Sequence, residues 1–408
     1  MPILLKRITA DIIECVQVNR FSCLVSTLPD ISHDLIDSHR KDLVLVSGYY
    51  GFGNLGDEAI LEVLCSQLKS ESIVVLSNSP QKTASTFSVA ARNRWNLVKV
   101  FALFQRTKLF VSGGGGLFQD TSSLRSVIYY SLLHLMARMA GVKVLVYAQG
   151  LGPLRSPVAR YLTSLSMRFS DSITVRDPQS LSMLRNWGLG GHLTADPVWS
   201  LAPGKLPGEI ESELNRFKND GDGDTILIGL SLREHASMDE NALRKFKKIL
   251  AASLPPNAVL VPLVLQKDQD SRPLDSVIDE WTKEGRAVLG FDADSLVRPS
   301  QWLALIGRLD FVVGMRLHSL IMALGAEVPV FGLSYDPKVE KVMKEFGQPF
   351  LNLINDRAIF EDDQAMEKLL KEALLRRQDS IQSLKKPLDE ARRAACMNIQ
   401  FIDRILGR

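Results

Sequence analysis

From residue 42 onward the chain alternates short apolar runs with amphipathic segments, and this alternation limits the fold more than any other feature. An apolar run at 43–46 is followed by a glycine loop and by a helical pattern from Asp57. Short buried strands that alternate with helices are typical of a doubly wound parallel sheet. The first half therefore predicts one Rossmann-like domain, with further strands at 73–76, 108–111, 142–146 and 172–175 and a last edge at 192–197.

A second alternating series follows a change of composition. Residues 202–224 are rich in Pro, Gly, Asp and Glu, which is typical of a domain boundary. The later apolar runs lie at 225–230, 258–263, 287–289, 311–313 and 328–331. We therefore predict an α/β protein of two Rossmann-like domains in a GT-B-like arrangement, with a C-terminal helix that returns to the first domain. Its predicted parts are an extension 1–40, a first domain 41–205, a linker 206–224, a second domain 225–378 and the crossing helix 379–408.

Composition narrows the classes of function. The 408 residues suffice for two cores. The net charge of +3 is small and is expected to be spread evenly along the chain, which argues against nucleic acid or an acidic polymer as the main partner. Four well-separated cysteines without a CxxC pair fit a reduced cytoplasmic protein. No secretory signal or membrane span is evident, so we expect a cytoplasmic protein with at most a peripheral contact at the inner face of the membrane.

The turn at 314–319, Gly-Met-Arg-Leu-His-Ser, is the strongest candidate for chemistry. It follows a buried run and precedes a helical one, so it is a strand-to-helix turn with free N–H groups that favour an anion. Arg316 adds a permanently charged fork, and His318 adds a group that exchanges protons near neutral pH. This pattern predicts acid catalysis on an anionic substrate.

Other polar residues follow strands of the same predicted sheet. They are Arg233, Asp268 and the segment 334–338, which ends in Lys338. Parallel strands bring their carboxyl ends to one edge, so these residues are expected to converge on His318. The sequence has no HExxH motif and no His/Cys cluster, and we predict neither a metal nor a cofactor.

Three glycine turns lie in the first half. Residues 51–56 match GxGxxG, but the second strand ends in Ser-Asn-Ser and lacks the acid that a dinucleotide site requires. The loop is then either a tight turn or a contact for an anion or sugar. Asn54 and Asp57, and Gln119 and Asp120 beside the four-glycine run, are the side chains best suited to sugar hydroxyls.

The combined motifs resemble the polysaccharide pyruvyl transferases, particularly the CsaB-type enzymes. The likeness runs from about residue 44 to 346, and the motifs that carry it are 48–59, 112–115, 148–153, Arg176-Asp177, Ala195-Asp196-Pro197, 314–318 and 334–338. The resemblance implies transfer of a pyruvyl group from phosphoenolpyruvate to two hydroxyls of a sugar, which gives a pyruvate ketal. For the CsaB type it implies an N-acetylmannosamine-type unit of a lipid-linked cell-wall or exopolysaccharide precursor.

The same resemblance implies roles for individual residues. Arg233, Arg316 and Leu317 would hold the donor, His318 would donate a proton, and Lys338 would also contact the donor. Asp268 matches a family acid, and Asp270 competes with it for the role of base. The alternatives are a nucleotide-sugar glycosyltransferase of GT-B fold and a non-catalytic glycan-binding protein.

Overall fold

The structure is a computed structural model that describes residues 41–121, 123–219, 225–356 and 362–408. The predicted extension 1–40 lies outside the described residues. The predicted alternation is confirmed, because the described strands form two fully parallel sheets joined by helices. The alternation of apolar runs with helical segments was sufficient to predict parallel sheets, because helices must cover both faces of such a sheet.

The first sheet has seven strands in the order β3-β2-β1-β4-β5-β6-β7. Its strands are β1 (Leu43–Ser47), β2 (Ser72–Ser77), β3 (Ala90–Asn93), β4 (Thr107–Ser112), β5 (Lys143–Gln149), β6 (Ser172–Val175) and β7 (His192–Leu193). The helices between them are α1 (Leu55–Gln67), α2 (Pro80–Phe87), α3 (Leu97–Arg106), α4 (Leu124–Met139), α5 (Pro157–Arg168) and α6 (Pro178–Asn186). The edge strand β3 was not predicted, because its sequence Ala-Ala-Arg-Asn has no apolar run.

The second sheet has five strands in the order β12-β11-β10-β8-β9. They are β8 (Ile226–Ser231), β9 (Ala258–Pro262), β10 (Phe311–Gly314), β11 (Val330–Ser334) and β12 (Phe350–Asn352). The helices are α8 (Glu240–Ser253), α9 (Lys267–Lys283), α10 (Pro299–Ile306), α11 (Leu317–Gly325), α12 (Pro337–Glu345) and α13 (Asp363–Leu375). The strand predicted at 287–289 is reduced to one bridge, between Val288 and Leu260.

The segment predicted as a linker contains a helix, α7 (Gly208–Asn219), and its Ile210 and Leu214 are buried. The last helix, α14 (Arg377–Leu406), contacts both domains. Arg392 donates to the carbonyl of Gly325 at 2.7 Å, and Asn398 donates to that of Ala195 at 3.1 Å. The predicted return of the C-terminal helix to the first domain is therefore confirmed.

One apolar core crosses from domain to domain, and each domain has a further core on the opposite face of its sheet. The shared core includes Trp199 and Phe346, whose rings stack with centroids 4.7 Å apart. Two polar contacts close the same junction. Leu55 N–H donates to the Leu265 carbonyl at 2.9 Å, and Glu62 accepts hydrogen bonds from the Ser300 N–H and hydroxyl.

Two general features bear on a membrane role. No described helix is long and apolar enough to cross a bilayer. The expectation of evenly spread charge is wrong, because residues 72–170 hold twelve Lys and Arg and a single acid, Asp120. The small net charge of the whole chain arises because the remaining residues carry an excess of acids.

Candidate active site

The turn at 314–319 lies at the carboxyl edge of the second sheet, as predicted. Arg316 is the N-cap of α11, so the N–H groups of Leu317 and His318 begin the helix without intrahelical partners. The neighbouring strands β8 and β11 pair with β10 on either side and place Arg233 and Lys338 after their own ends. The second domain therefore supplies one edge of basic residues.

The imidazole of His318 lies between the two domains. A Cβ atom added to Gly56, near the start of α1, would lie 1.9 Å from Nδ1 of His318. Nε2 of His318 lies 3.7 Å from a carboxylate oxygen of Asp196, and the His318 side chain is 15% exposed. This distance is too long for a hydrogen bond, so the Asp196 carboxylate acts on the His318 ring through its charge.

Asp196 is itself held by Arg176, with which it forms a buried ion pair. Burial opposes ionisation of Asp196, but the charges of Arg176 and His318 outweigh that effect and hold its pKa well below the usual range. Asp196 is therefore an anion at neutral pH. Arg176 follows β6 and Asp196 follows β7, so both come from the carboxyl edge of the first sheet.

Asp57, in the first turn of α1, is the carboxyl group with the most unusual surroundings. Burial raises its pKa to about 6, and the nearby charges of His318 and Arg176 only partly offset that effect. An added Cβ on Gly115 would lie 2.8 Å from its Oδ1, so the four-glycine run gives this carboxyl group space. A carboxyl group that titrates near neutral pH is suited to accepting a proton.

Lys338 faces the same glycine run. An added Cβ on Gly116 would lie 3.4 Å from its Nζ, so the backbone of the first domain approaches the ammonium group closely. Burial lowers the pKa of Lys338, and the charge of Arg176 lowers it further, although Asp336 acts in the opposite direction. Lys338 and Arg176 therefore add two cations to the space around Asp57.

Arg316 and Arg233 are linked through α9. Arg316 is 8% exposed, and its Nε donates to Oδ1 of the buried Asp270 at 2.8 Å. Oε1 of Gln269 accepts hydrogen bonds from both guanidinium groups, and Arg233 also donates to the Tyr335 hydroxyl at 2.7 Å. Asp270 therefore neutralises Arg316, while Arg233 is held in place by neutral groups.

The remaining predicted residues have simpler positions. Asp268 is exposed on the first turn of α9 and makes no hydrogen bond or ion pair to the described residues. Leu317 is half-buried at the start of α11 and packs on the shared core, so its backbone N–H is its polar contribution to the site. Burial thus distinguishes the two acids that are candidates for the base, Asp268 and Asp270.

The predicted sugar-binding residues of the first domain differ in whether their polar groups are available to a ligand. The Asn54 side chain caps α1 by accepting from Gly56 N–H at 3.1 Å. Asp120 accepts from the N–H groups of Arg155 and Ser156 at 2.7 and 2.6 Å, so it anchors the loop before α5. The Gln119 amide group remains near Gly116, where an added Cβ would lie 4.0 Å from its Nε2. Oε1 of Gln119 accepts from the Thr121 hydroxyl at 3.0 Å. Gln119 and Asp57 therefore lie at the cleft, whereas the side-chain oxygens of Asn54 and Asp120 are held by backbone N–H groups.

The GxGxxG loop is explained by packing at its first glycine. Gly51 has a φ of +77°, and an added Cβ would lie 2.1 Å from the Ser77 hydroxyl oxygen. The loop is then stabilised from both sides, since Gly51 N–H donates to Glu58 at 2.7 Å and the Ser79 hydroxyl donates to the Gly51 carbonyl at 2.9 Å. These contacts favour the interpretation of the GxGxxG loop as a tight turn.

A family model described as polysaccharide pyruvyl transferase matches residues 54–337. This range includes both edges of the cleft, from Asp57 to the residue before Lys338. The chain belongs to the polysaccharide pyruvyl transferase family. A comparison with curated proteins found no match.

Solved structures of other proteins share the fold of this chain. Anabaena HepE in complex with UDP has 13% identity, with 90% of this chain and 99% of that chain covered and a TM-score of 0.56. S. aureus MnaA with UDP has 11% identity, coverage of 90% and 97% and a TM-score of 0.59. The UDP-GlcNAc 2-epimerase of Methanocaldococcus jannaschii has 13% identity, coverage of 90% and 99% and a TM-score of 0.59. The predicted fold class, two Rossmann-like domains in a GT-B arrangement, is confirmed.

Two members of the site, Arg176 and Asp196, have no role predicted from the sequence, although both belong to the motifs that carry the resemblance. The available signal was their position directly after strands β6 and β7, which is the same signal that identified Arg233 and Arg316 in the second domain.

Gly56→Ala should lower the turnover of the transferase by about 100-fold without unfolding it. Alanine is favoured over glycine inside a helix, but its Cβ would displace the His318 ring, and a displacement of about 1 Å is worth about 10² in rate. Turnover and thermal unfolding of the variant would be measured together. Gly208→Ala in α7 is the control, because an added Cβ there meets no atom within 4 Å. Equal turnover in the two variants would contradict the proposed position of His318.

Proposed function

We propose that this transferase moves the pyruvyl group of phosphoenolpyruvate to two hydroxyls of a sugar, forming a pyruvate ketal and releasing phosphate. One observation carries the proposal: the titratable carboxyl group of Asp57 lies near the imidazole of His318 and near two cations, Arg176 and Lys338. Two further cations, Arg233 and Arg316, follow neighbouring strands of the same edge of the second sheet. A ketal-forming transfer needs a proton donor, a proton acceptor and a site for a multiply charged anion, and this cluster has candidates for all three.

The donor would be held by the basic side of the cluster. Two of the four cations have ionised partners, Arg176 with Asp196 and Arg316 with Asp270. Arg233 and Lys338 have no carboxylate within ion-pair distance among the described residues, so they give the cleft an excess of positive charge. The free N–H groups at the start of α11 add a positive helix terminus. Phosphoenolpyruvate offers a carboxylate and a phosphate on one carbon, which suits such a divided cationic site.

His318 is proposed to transfer its proton to C3 of phosphoenolpyruvate. The C3 methylene becomes a methyl group, C2 becomes electrophilic, and the first sugar hydroxyl attacks it. Phosphate then leaves with its C–O bond electrons, and the second hydroxyl closes the ketal on C2. Of the two hydroxyl protons, one replaces the proton that went to C3 and the other leaves with phosphate. General acid catalysis of this kind contributes about 10²–10⁴ in rate.

Asp57 is the residue that we propose as the proton acceptor. Asp268 is exposed, and Asp270 is bound to Arg316 and to the N–H groups of Leu265 and Gln266, which leaves it no free oxygen for a hydroxyl. Asp57 instead faces the space beside His318 and has a pKa of about 6. It is supplied by the first domain, so the domains would provide one proton-transfer group each.

The acceptor is proposed to enter from the first domain, beside Gln119 and the four-glycine run. An N-acetylmannosamine-type unit of a lipid-linked precursor is the acceptor that the CsaB likeness favours. Gly116, the last residue of the run, is partly exposed, and its backbone would offer hydrogen bonds to a sugar hydroxyl without the bulk of a side chain.

The direct test is incubation with phosphoenolpyruvate and a panel of glycan acceptors, with phosphate release as the measurement. Phosphoenolpyruvate alone should raise the unfolding temperature, because a ligand that binds only the folded state stabilises it by an amount that grows with the ratio of ligand concentration to Kd. UDP and UDP-sugars are the comparison ligands. Protection by a UDP-sugar and none by phosphoenolpyruvate would favour a GT-B glycosyltransferase instead.

A further inference from the structure

The positive charge of the first domain is concentrated in one segment of the chain. The acid-poor segment 72–170 contains Lys82, Arg92, Arg94, Lys99, Arg106, Lys108, Arg125, Arg138, Lys143, Arg155, Arg160 and Arg168. Three of these cations pair with acids outside the segment, as Arg106 with Asp42, Lys108 with Glu71 and Lys143 with Asp171. Apart from Arg106, the cations on α3, α4 and α5 have no ion pair with the described residues. The one acid of the segment, Asp120, is held by backbone N–H groups.

Large apolar side chains are exposed among these unpaired cations. Trp95 is 57% exposed, Val98 55%, Ile128 48% and Tyr161 43%. They lie just before α3, on α3, on α4 and on α5 respectively. The helices pack side by side, since the Trp95 and Tyr129 rings are 5.4 Å apart and Ser166 donates to Ser131 at 2.9 Å. The four side chains therefore belong to one layer of the domain.

This layer is distant from the junction between the domains. The inner sides of α3, α4 and α5 pack on a core that contains only residues of the first domain. The core that joins the domains, with α1 and α14, lies on the opposite face of the sheet. The outer side of α3, α4 and α5 is thus covered by neither the second domain nor the C-terminal helix.

We propose that this outer surface docks on an anionic lipid bilayer. We call it the basic face and define it by Trp95, Val98, Lys99, Arg125, Ile128, Arg155 and Tyr161. Lys and Arg would bind the anionic headgroups, while the exposed Trp, Tyr and aliphatic side chains would enter the interfacial region. The combination of unpaired cations with exposed apolar groups is what a peripheral membrane surface requires.

A bilayer explains both components of the basic face better than a nucleic acid does. Phosphates of a nucleic acid would satisfy the cations, but they would leave Val98 and Ile128 in water. Removal of exposed aliphatic side chains from water is favourable in an acyl or headgroup layer. The experiment must therefore distinguish binding to a bilayer from binding to a nucleic acid.

The basic face also reaches the edge of the cleft. The Arg94 guanidinium lies over the rings of both Trp95 and Phe52, at 5.1 and 5.2 Å. Phe52 belongs to the glycine loop that leads to Gly56 beside His318. If the acceptor is lipid-linked, which rests on the proposed function, a membrane at this surface would bring its sugar to the site. Docking itself does not depend on that function.

The test is co-sedimentation of the full chain with vesicles. One set contains phosphatidylcholine alone and the other includes about 30 mol % phosphatidylglycerol, a fraction that gives a negative surface potential. Wild type should bind the second set, and added salt should weaken the binding. Lys99→Glu/Arg125→Glu should lower the partition coefficient roughly tenfold, and Ile128→Ser/Tyr161→Ser roughly threefold to tenfold.

The control is Lys248→Glu/Lys283→Glu, two exposed residues of the second domain with the same change of total charge. It should bind like wild type. The proposal would be overturned if both charge-reversal variants lost vesicle binding equally or if wild type did not bind anionic vesicles. Binding to single-stranded DNA in preference to anionic vesicles would also overturn it. Phosphate release with a water-soluble acceptor should stay unchanged in all variants, and no activity with any acceptor would count against the proposed function and not against docking.

Discussion

His318→Ala is expected to lower phosphate release from phosphoenolpyruvate by about 10²–10⁴, which is the usual range for loss of a general acid. The imidazole packs against Gly56 and lies 3.7 Å from the Asp196 carboxylate, so its contribution depends on its position between the two domains. The side chain makes no hydrogen bond to the described residues that would be lost on truncation, and the variant should remain folded.

The measurement is steady-state turnover, with thermal unfolding as the check on folding. His192→Ala is the matched control, because His192 is exposed at the edge of the first sheet and stacks on Phe401. We expect wild-type turnover from that variant. Wild-type turnover from His318→Ala would remove His318 from the mechanism.

Asp57→Asn is expected to have two opposite effects, with turnover reduced by about 10²–10⁴ and stability increased at neutral pH. The carboxyl group has an ordinary pKa of 3.8 and a pKa of about 6 in the fold. A raised pKa means that the folded state binds the proton more tightly than the unfolded state. The stabilisation is therefore fully present below about pH 4 and is lost as the pH rises through about 6.

Asparagine resembles the protonated form at every pH. The variant should accordingly gain up to about 3 kcal/mol in free energy of unfolding at about pH 8, and the gain should shrink as the pH falls toward 4. In wild type, turnover should rise with pH through about 6, because only ionised Asp57 accepts a proton. The variant should lose that step in its pH profile.

Glu58→Gln is a stringent control for this experiment. Burial raises the pKa of Glu58 to about 7, although the hydrogen bond from Gly51 N–H opposes that effect. Its carboxylate anchors the glycine loop, and a glutamine oxygen can accept the same bond. We expect stabilisation at neutral pH with turnover retained. A similar loss of turnover in both variants would indicate a role in shaping the loop and argue against Asp57 as the base.

Much of the second-domain edge was predictable from sequence. Arg233, Arg316, His318 and Lys338 each follow a strand, and parallel strands necessarily bring their carboxyl ends to one edge. The choice between Asp268 and Asp270 was not predictable. They are two positions apart near the start of α9, so they point in different directions, and only packing determines that Asp270 turns inward to Arg316.

The first-domain edge was predicted less well. Asp57 was expected to bind a sugar hydroxyl. Its raised pKa could not be read from sequence, because burial raises it and the charges that partly offset burial, His318 and Arg176, come from distant segments. Asn54 and Asp120 looked suitable for sugar binding, but local backbone N–H groups already use their oxygens. Such short-range capping competes with ligand binding wherever Asn and Asp lie in turns.

The sequence by itself determined the two parallel sheets, the edge on which the polar residues lie and the family, because alternating apolar runs and turn motifs are local properties. Only the tertiary structure decided that the two edges face each other across His318, and that Asp57 and Asp196, both carboxylates beside the same imidazole, have pKa values shifted in opposite directions. The physical reason is that desolvation and charge interactions depend on distances between segments far apart in the chain.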